Sequence, residues 1–182
     1  MPIFIAEIRV IYMSFFIKFI AFSSIGAIVI VAAIYVFVGF ERVWSTIGGD
    51  PSSELVVIAS VKKTPKPNQY LICPDGYCEE VADQTAPVFN VSVDQLREAL
   101  SELEDADSNL SKVNSDADDL RQKYIWRSPF WRFPNLISVE LIPLENERST
   151  IAIYAQAQLG QSDLGANKAF VDELLVKISS KI

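Results

Sequence analysis

The stretch RQKYIWRSPFWRFPNLISVELIPLENERSTIAIYAQA, Arg121 to Ala157, decides the fold. Arg121 to Arg127 alternates apolar and polar residues, the period of a half-buried strand. Ile137, Val139 and Leu141 alternate again, and Ile151, Ile153, Ala155 and Ala157 do so a third time. Glu145 to Arg148 supplies the turn between the last two runs. Three successive strands with short connections predict an antiparallel sheet.

Helical patterns flank this core. Toward the C-terminus, Gly160 to Lys168 reads as a loop. It leads into a helix with Phe170, Val171, Leu174, Leu175, Ile178 and Ile182 on one side. Glu173 and Lys177 form an exposed i,i+4 pair on the other side. Toward the N-terminus, Ser92 with Gln95 forms a capping box, and Val91 is placed to staple onto Leu96. Leu96, Ala99, Leu100 and Leu103 then share one face. Glu104 to Leu120 is polar, acidic and aperiodic, and reads as a solvated loop. Leu55 to Val61 is short, apolar and β-branched, which predicts a strand, and Pro65 and Pro67 break the chain after it. The expectation for residues 54–182 is one α+β domain, a curved antiparallel sheet with helices packed on one face.

Before that domain, Phe19 to Phe40 runs 22 residues without a charge. As a helix it spans about 33 Å, enough to cross a hydrocarbon core of about 30 Å. It is too long for a signal-peptide core, and cleavage after Ala33 would fall inside the apolar run. An uncleaved transmembrane helix over 19–40 is the reading, with the lipid bilayer as partner. Residues 1–18 lie in the membrane interface or extend the helix into the cytoplasm. Residues 41–53, with Gly48, Gly49 and Pro51, form a linker. Arg9 and Lys18 before the span, against Arg42 after it, favour a cytoplasmic N-terminus and an exported domain, periplasmic or equivalent. Tyr35, Phe37, Phe40 and Trp44 cluster at headgroup level at the far end.

Removing Glu7, Arg9 and Lys18 leaves 14 basic and 22 acidic residues beyond the span. Such a surface repels phosphate backbones, so nucleic acid is not an expected partner. The chain has no histidine. That excludes His-dependent catalytic triads and the commoner zinc sites.

Several short motifs occur in a fixed order: Pro67-Asn68-Gln69-Tyr70-Leu71-Ile72-Cys73-Pro74, Cys78, Ala86-Pro87-Val88-Phe89, Arg132-Phe133-Pro134, and Gly160-Gln161-Ser162-Asp163-Leu164-Gly165-Ala166-Asn167. Together they resemble the domain-of-unknown-function family 1499 over roughly Pro67 to Ile178. The resemblance implies no activity. Relatives carry arginines before the Gly-x-Ser-Asp segment, where this chain reads Ala155-Gln156-Ala157-Gln158, and Lys168 stands where an arginine is common. A role resting on those arginines does not carry over.

Cys73 and Cys78 flank a Pro-Asp-Gly turn that brings their ends together. In an oxidising compartment they form a disulfide, and in a reducing one they stay free thiols. Redox work would favour Cys-x-x-Cys spacing, and zinc would need two more soft ligands. Arg121 to Pro134 holds four cations, five aromatics and no acid. One reading is a contact surface facing lipid headgroups, or a pocket for an amphipathic anion, built from Trp126, Arg127, Phe130, Trp131, Arg132 and Phe133. The simpler reading has Tyr124 and Trp126 filling the core while Lys123 and Arg127 are solvated. Phe130 to Phe133 escapes that alternation, and Trp131 is the ring expected to be exposed.

Gly160 to Lys168 lacks the Lys of a phosphate loop, and Asp163 would repel phosphate. The expectation there is an N-cap at Ser162 or Asp163, with Asp163 and Asn167 as weak candidates for holding an amine or hydroxyl. Asp105, Asp107, Asn109 and Asp116 begin like a calcium loop, but Leu110 replaces its glycine and an aspartate its bidentate glutamate. Ser60-Val-Lys62-Lys63 fits S-x-x-K with no partner motif. No cofactor, metal site or catalytic set is expected. The leading functional expectation is a membrane-tethered, non-enzymatic binding domain or accessory subunit of a membrane or envelope complex, with a protein partner there. The alternatives are a carrier of an apolar or amphipathic ligand and a carboxylate- or lysine-based hydrolase.

Overall fold

The computed structural model describes residues 2–182, with side chains from Met13 onward. The chain divides into two compact units, Met1–Val43 and Trp44–Ile182. In the first, helix α1 spans Pro2–Ala33 and continues as a π-helical turn, Ile34–Val38. Gly39 ends it at φ 78°, donating its N–H to Ile34 O. A left-handed residue cannot propagate the helix, and glycine adopts that conformation without a Cβ penalty. Met13–Val38, 26 residues, is long and apolar enough to cross a membrane. This run begins before Phe19, because Lys18 does not interrupt the helix, and Gly39 closes it before Phe40. The side chains of Glu7 and Arg9, on which the reading of residues 1–18 rests, lie outside the described residues.

Helix α2 occupies Phe40–Gly48, so the first part of the expected linker is helical. The remaining elements are β1 Gln69–Cys73, β2 Gln84–Thr85, β3 Val88–Phe89, α3 Val93–Ala106, β4 Leu110–Ser115, β5 Arg121–Arg127, β6 Pro134–Leu144, β7 Arg148–Ala157 and α4 Ala166–Ser179. Among the described residues they form a seven-stranded sheet in the order β2-β1-β7-β6-β5-β4, with β3 also paired to β7. All pairs are antiparallel except β1 with β2, so the sheet is mixed rather than purely antiparallel. The class is α+β, as expected.

Period-2 alternation gives the sheet two faces. Tyr124, Ile137, Val139, Ile151 and Ile153 point to one, where they meet Leu96, Leu100 and Leu103 of α3 and Phe170, Val171, Leu174 and Ile178 of α4. The capping box at Ser92 is complete, and Val91 packs against this cluster. Ile182 lies past the end of α4 and is exposed, because the helix closes at Ser179. The opposite face is covered by irregular chain. Ile58 is fully buried against Leu71, Cys73, Ala152 and Tyr154, with Tyr77, Cys78 and Ala82 alongside.

Three sequence expectations fail here for physical reasons. Leu55 to Val61 is not a strand: it crosses a sheet face and holds only a 3-10 turn, Ile58–Ser60. Ile58 is buried there by face packing, which needs no ladder, while Val57 stays exposed. Residues 104–120 are not one loop, since α3 runs to Ala106 and β4 begins at Leu110. β4 pairs only with β5 and buries Leu110 alone, so its polar pattern is that of an edge strand. Lys123 is not solvated. It shares a face with Ile125 and is only 4% exposed.

Candidate functional site

The connection from β5 to β6, Ser128 to Phe133, is closed by its own ends. Ser128 N–H donates to Phe133 O, Arg132 N–H to Ser128 O, and Phe133 N–H to Ser128 Oγ, each at 3.0 Å. Arg132 takes a left-handed φ of 55° to complete the turn. The turn leaves Phe130 63% exposed, Trp131 45% and Phe133 39%. Phe130 and Trp131 meet edge to face at 4.9 Å. Phe130 is therefore the most exposed ring, ahead of Trp131.

The first residues of the second unit complete this cluster. Trp44 stacks on Phe133 with ring centroids 4.3 Å apart, and its Nε1 donates to Trp131 O. Gln158 Nε2 donates to Gly48 O at 3.1 Å and Gly49 O at 2.9 Å. A Cβ on Gly48 would collide with Leu159 Cδ2, so a larger residue there would displace the end of the Leu159 side chain. Arg132 Nη1 donates to Asn109 Oδ1.

Trp126 does not join the exposed rings. It stacks on Phe170 at 4.6 Å and packs against the helix-side core. There it lines a half-open cleft of about 300 Å³ between α3, α4 and β5. Leu103, Leu110, Phe170 and Leu174 also line the cleft, with Glu173 and Lys177 paired at 2.7 Å on α4. The six residues expected to form one surface thus divide: Trp126 faces the cleft, Arg127 ends β5, and Phe130, Trp131, Arg132 and Phe133 belong to the turn.

Cys73 and Cys78 are joined by a disulfide, their Cα atoms 6.2 Å apart. It ties the end of β1 to the loop covering the second face. Asp163 serves α4: its carboxylate accepts from Gly165 N–H at 3.1 Å and Asn167 N–H at 2.8 Å. The N-cap position itself is Gly165, at φ 82°, so neither Ser162 nor Asp163 occupies it. Asn167 is buried and donates to Asn68 O at 3.0 Å, while Asn68 Nδ2 reaches Ala157 O and Gly160 O. These contacts lock β1, β7 and α4 together, which is a structural task.

The calcium-like segment does not converge. Asp105 lies on α3, Asp107 caps that helix, and Asp116 pairs with Arg121 at 2.9 Å. Burial pushes the Asp116 carboxyl up, but hydrogen bonds from Arg121 and Leu120 outweigh it and hold the group below its ordinary range. Among the described residues, no group of three His, Cys, Asp or Glu side chains is placed to hold a metal.

The structure also brings together a pair that sequence reasoning missed. Lys123 Nζ donates to Ser138 Oγ at 2.9 Å, across the β5–β6 ladder where the two residues are partners. Burial lowers the Lys123 pKa from 10.5 to about 8, against the opposing pull of Glu54. A lysine of lowered pKa beside a serine is the pairing of nucleophile–base chemistry, once pH exceeds that value. Both side chains are buried, however, and neither lines the cleft at Trp126. The sequence carried one clue: Lys123 and Ile125 share strand parity.

The profile of a family described as "Protein of unknown function (DUF1499)" matches residues 60–178. The chain belongs to this family. The match takes in the disulfide loop, the β5–β6 turn and Gly160–Asn167, and leaves out the N-terminal apolar helix. No curated protein matches the chain.

Proposed function

We propose that this chain is a membrane-tethered, non-catalytic binding domain, and that it acts through the β5–β6 turn on another component of the membrane or envelope. The observation that supports this most is the exposure of Phe130 and Trp131 on a domain whose other large rings between Tyr70 and Phe170 mostly pack against the core. Large, partly exposed rings beside cations are the composition of interface anchors. In this reading the N-terminal helix holds the chain in the bilayer with its N-terminus inside, and the domain is exported. The Cys73–Cys78 bond fits an oxidising compartment. An added surface cysteine should then react with a membrane-impermeant reagent in intact cells, whereas protection until lysis reverses the orientation. Affinity purification through a C-terminal tag from native membranes should recover a component that the Phe130→Ser, Trp131→Ser chain does not.

The cleft at Trp126 favours a second reading, a carrier of a small amphipathic ligand. Its volume is near the low end of the range for small-molecule sites, about 300–1,000 Å³. Saturable quenching of Trp126 fluorescence by such ligands, abolished by Leu174→Trp, would support it. Absence of saturation leaves the binding-domain reading alone.

A further inference from the structure

Three parts of the second unit meet at one end of the sheet. The β5–β6 turn is there. So is the end of β7, because Gln158 N–H donates to Pro134 O at 3.1 Å and Ala157 N–H to Asn68 O at 2.8 Å. The chain also enters the domain there, through the contacts of Trp44 with Phe133 and of Gly48 and Gly49 with Gln158. A few residues beyond Gly160, Leu164 is 95% exposed at φ 54°. Ser162 Oγ, accepting from Leu164 N–H at 3.2 Å, helps hold that conformation. A leucine in left-handed backbone with its side chain in water contributes nothing to folding, and such a position points to an outside contact.

The chain itself says what lies opposite this end. Trp44 follows Val38, the last residue of the apolar run, by six positions. Six residues reach no further than about 22 Å even when fully extended. Any bilayer crossed by the apolar run therefore lies within that reach of the ring stacked on Phe133. Of the four cations between Arg121 and Pro134, Arg127 and Arg132 lie at this end, whereas the turn at the opposite end of the sheet is Glu145-Asn146-Glu147. An anionic headgroup surface would attract the first end and repel the second.

We propose that the end of the sheet bearing Phe130, Trp131 and Leu164 rests in the headgroup zone of the bilayer that holds the chain. This rests on the membrane-tethered binding reading and names what the surface binds. The aromatic rings lie at headgroup level and Leu164 reaches the acyl boundary, as amphipathic anchors do. The domain is thus held at two points, by its helix and by this surface, which leaves the Glu145–Glu147 end facing away from the membrane.

The test uses the full chain with single cysteines at Phe130→Cys, Leu164→Cys and Glu145→Cys, each carrying an environment-sensitive fluorophore. The native cysteines are bonded to each other and do not compete for label. In bilayers of phosphatidylcholine and anionic phosphatidylglycerol with brominated acyl chains, labels at 130 and 164 should be quenched severalfold more than the label at 145. Leu164 is independent of the turn, so a folding defect in the Phe130 variant does not remove the test. Equal quenching at all three sites overturns the proposal. If the label at 130 is shielded in native membranes but unquenched in pure lipid, the partner is a protein; the bilayer proposal then fails while the binding reading stands. If it is shielded in neither, both fail.

Discussion

The two faces of the sheet are buried by different means. One carries α3 and α4 over a large cluster of branched and aromatic residues. The other is covered by chain without helix or strand, stapled by Cys73–Cys78, over a small cluster that includes Ile58. Among the described residues, the helical face encloses no charge. The irregular face encloses Lys123. Helices bury a repeating apolar stripe, and the polar groups that face admits, such as Gln122 and Asn167, are uncharged and hydrogen-bonded. An irregular cover has no period and tolerates a polar group wherever one partner can be supplied, as Ser138 does here.

The largest effect should come from the helical face. Leu100→Ala opens a cavity against both helices and should cost about 3 kcal/mol in chemical denaturation, with the pKa of Lys123 unchanged. Ile58→Ala should instead loosen the cover and raise the Lys123 pKa toward 10.5. If both variants move that pKa equally, the faces are not independent.

Lys123 itself gives a signed pH dependence. Its folded pKa lies below the unfolded one, so between about pH 8 and 10.5 the unfolded state binds more protons. The cost of the buried charge is fully present below pH 8 and is relieved as pH rises through that window, by roughly 3 kcal/mol. Above pH about 10 the gain is opposed, because unfolded tyrosines ionise there. Burial pushes Tyr124 well up, and burial together with Glu140 raises Tyr77 to about 12. Stability of the wild-type chain should therefore rise from pH 8 to near 10, and Lys123→Met should flatten that rise. An unchanged slope in the variant would show that Lys123 is hydrated.

Replacing Cys73 and Cys78 by Ser should cost about 2 kcal/mol on the chain-entropy model for so short a loop. Native-state hydrogen exchange should show the loss confined to Gln69–Cys73 and the covering loop, while α3 and α4 keep their protection.

This contrast also sets what the sequence could reveal. The capping box at Ser92, the stripes of α3 and α4 and the alternation of β5 to β7 were legible because each repeats with a period. β1, Gln69–Cys73, was not: buried on both faces, it reads as a continuous apolar run without alternation. Residues 55–61 looked like a strand for the same reason in reverse, since β-branched residues fit any half-buried extended chain. At the candidate site, Phe130 to Phe133 was recognisable because strand alternation could not accommodate it. The docking of Trp44 and the exposure of Leu164 depend on chain closure at one end of the sheet, and no local pattern encodes that.

The central claim is that the aromatic turn is a working surface and not part of the core. Its most direct test measures unfolding free energy and recovery from native membranes in one variant, Phe130→Ser with Trp131→Ser. The account predicts a stability change within about 0.5 kcal/mol, as for surface sites, together with clear loss of the co-purifying membrane component. A loss of several kcal/mol, with the co-purifying component retained, would place both rings in the core and contradict it.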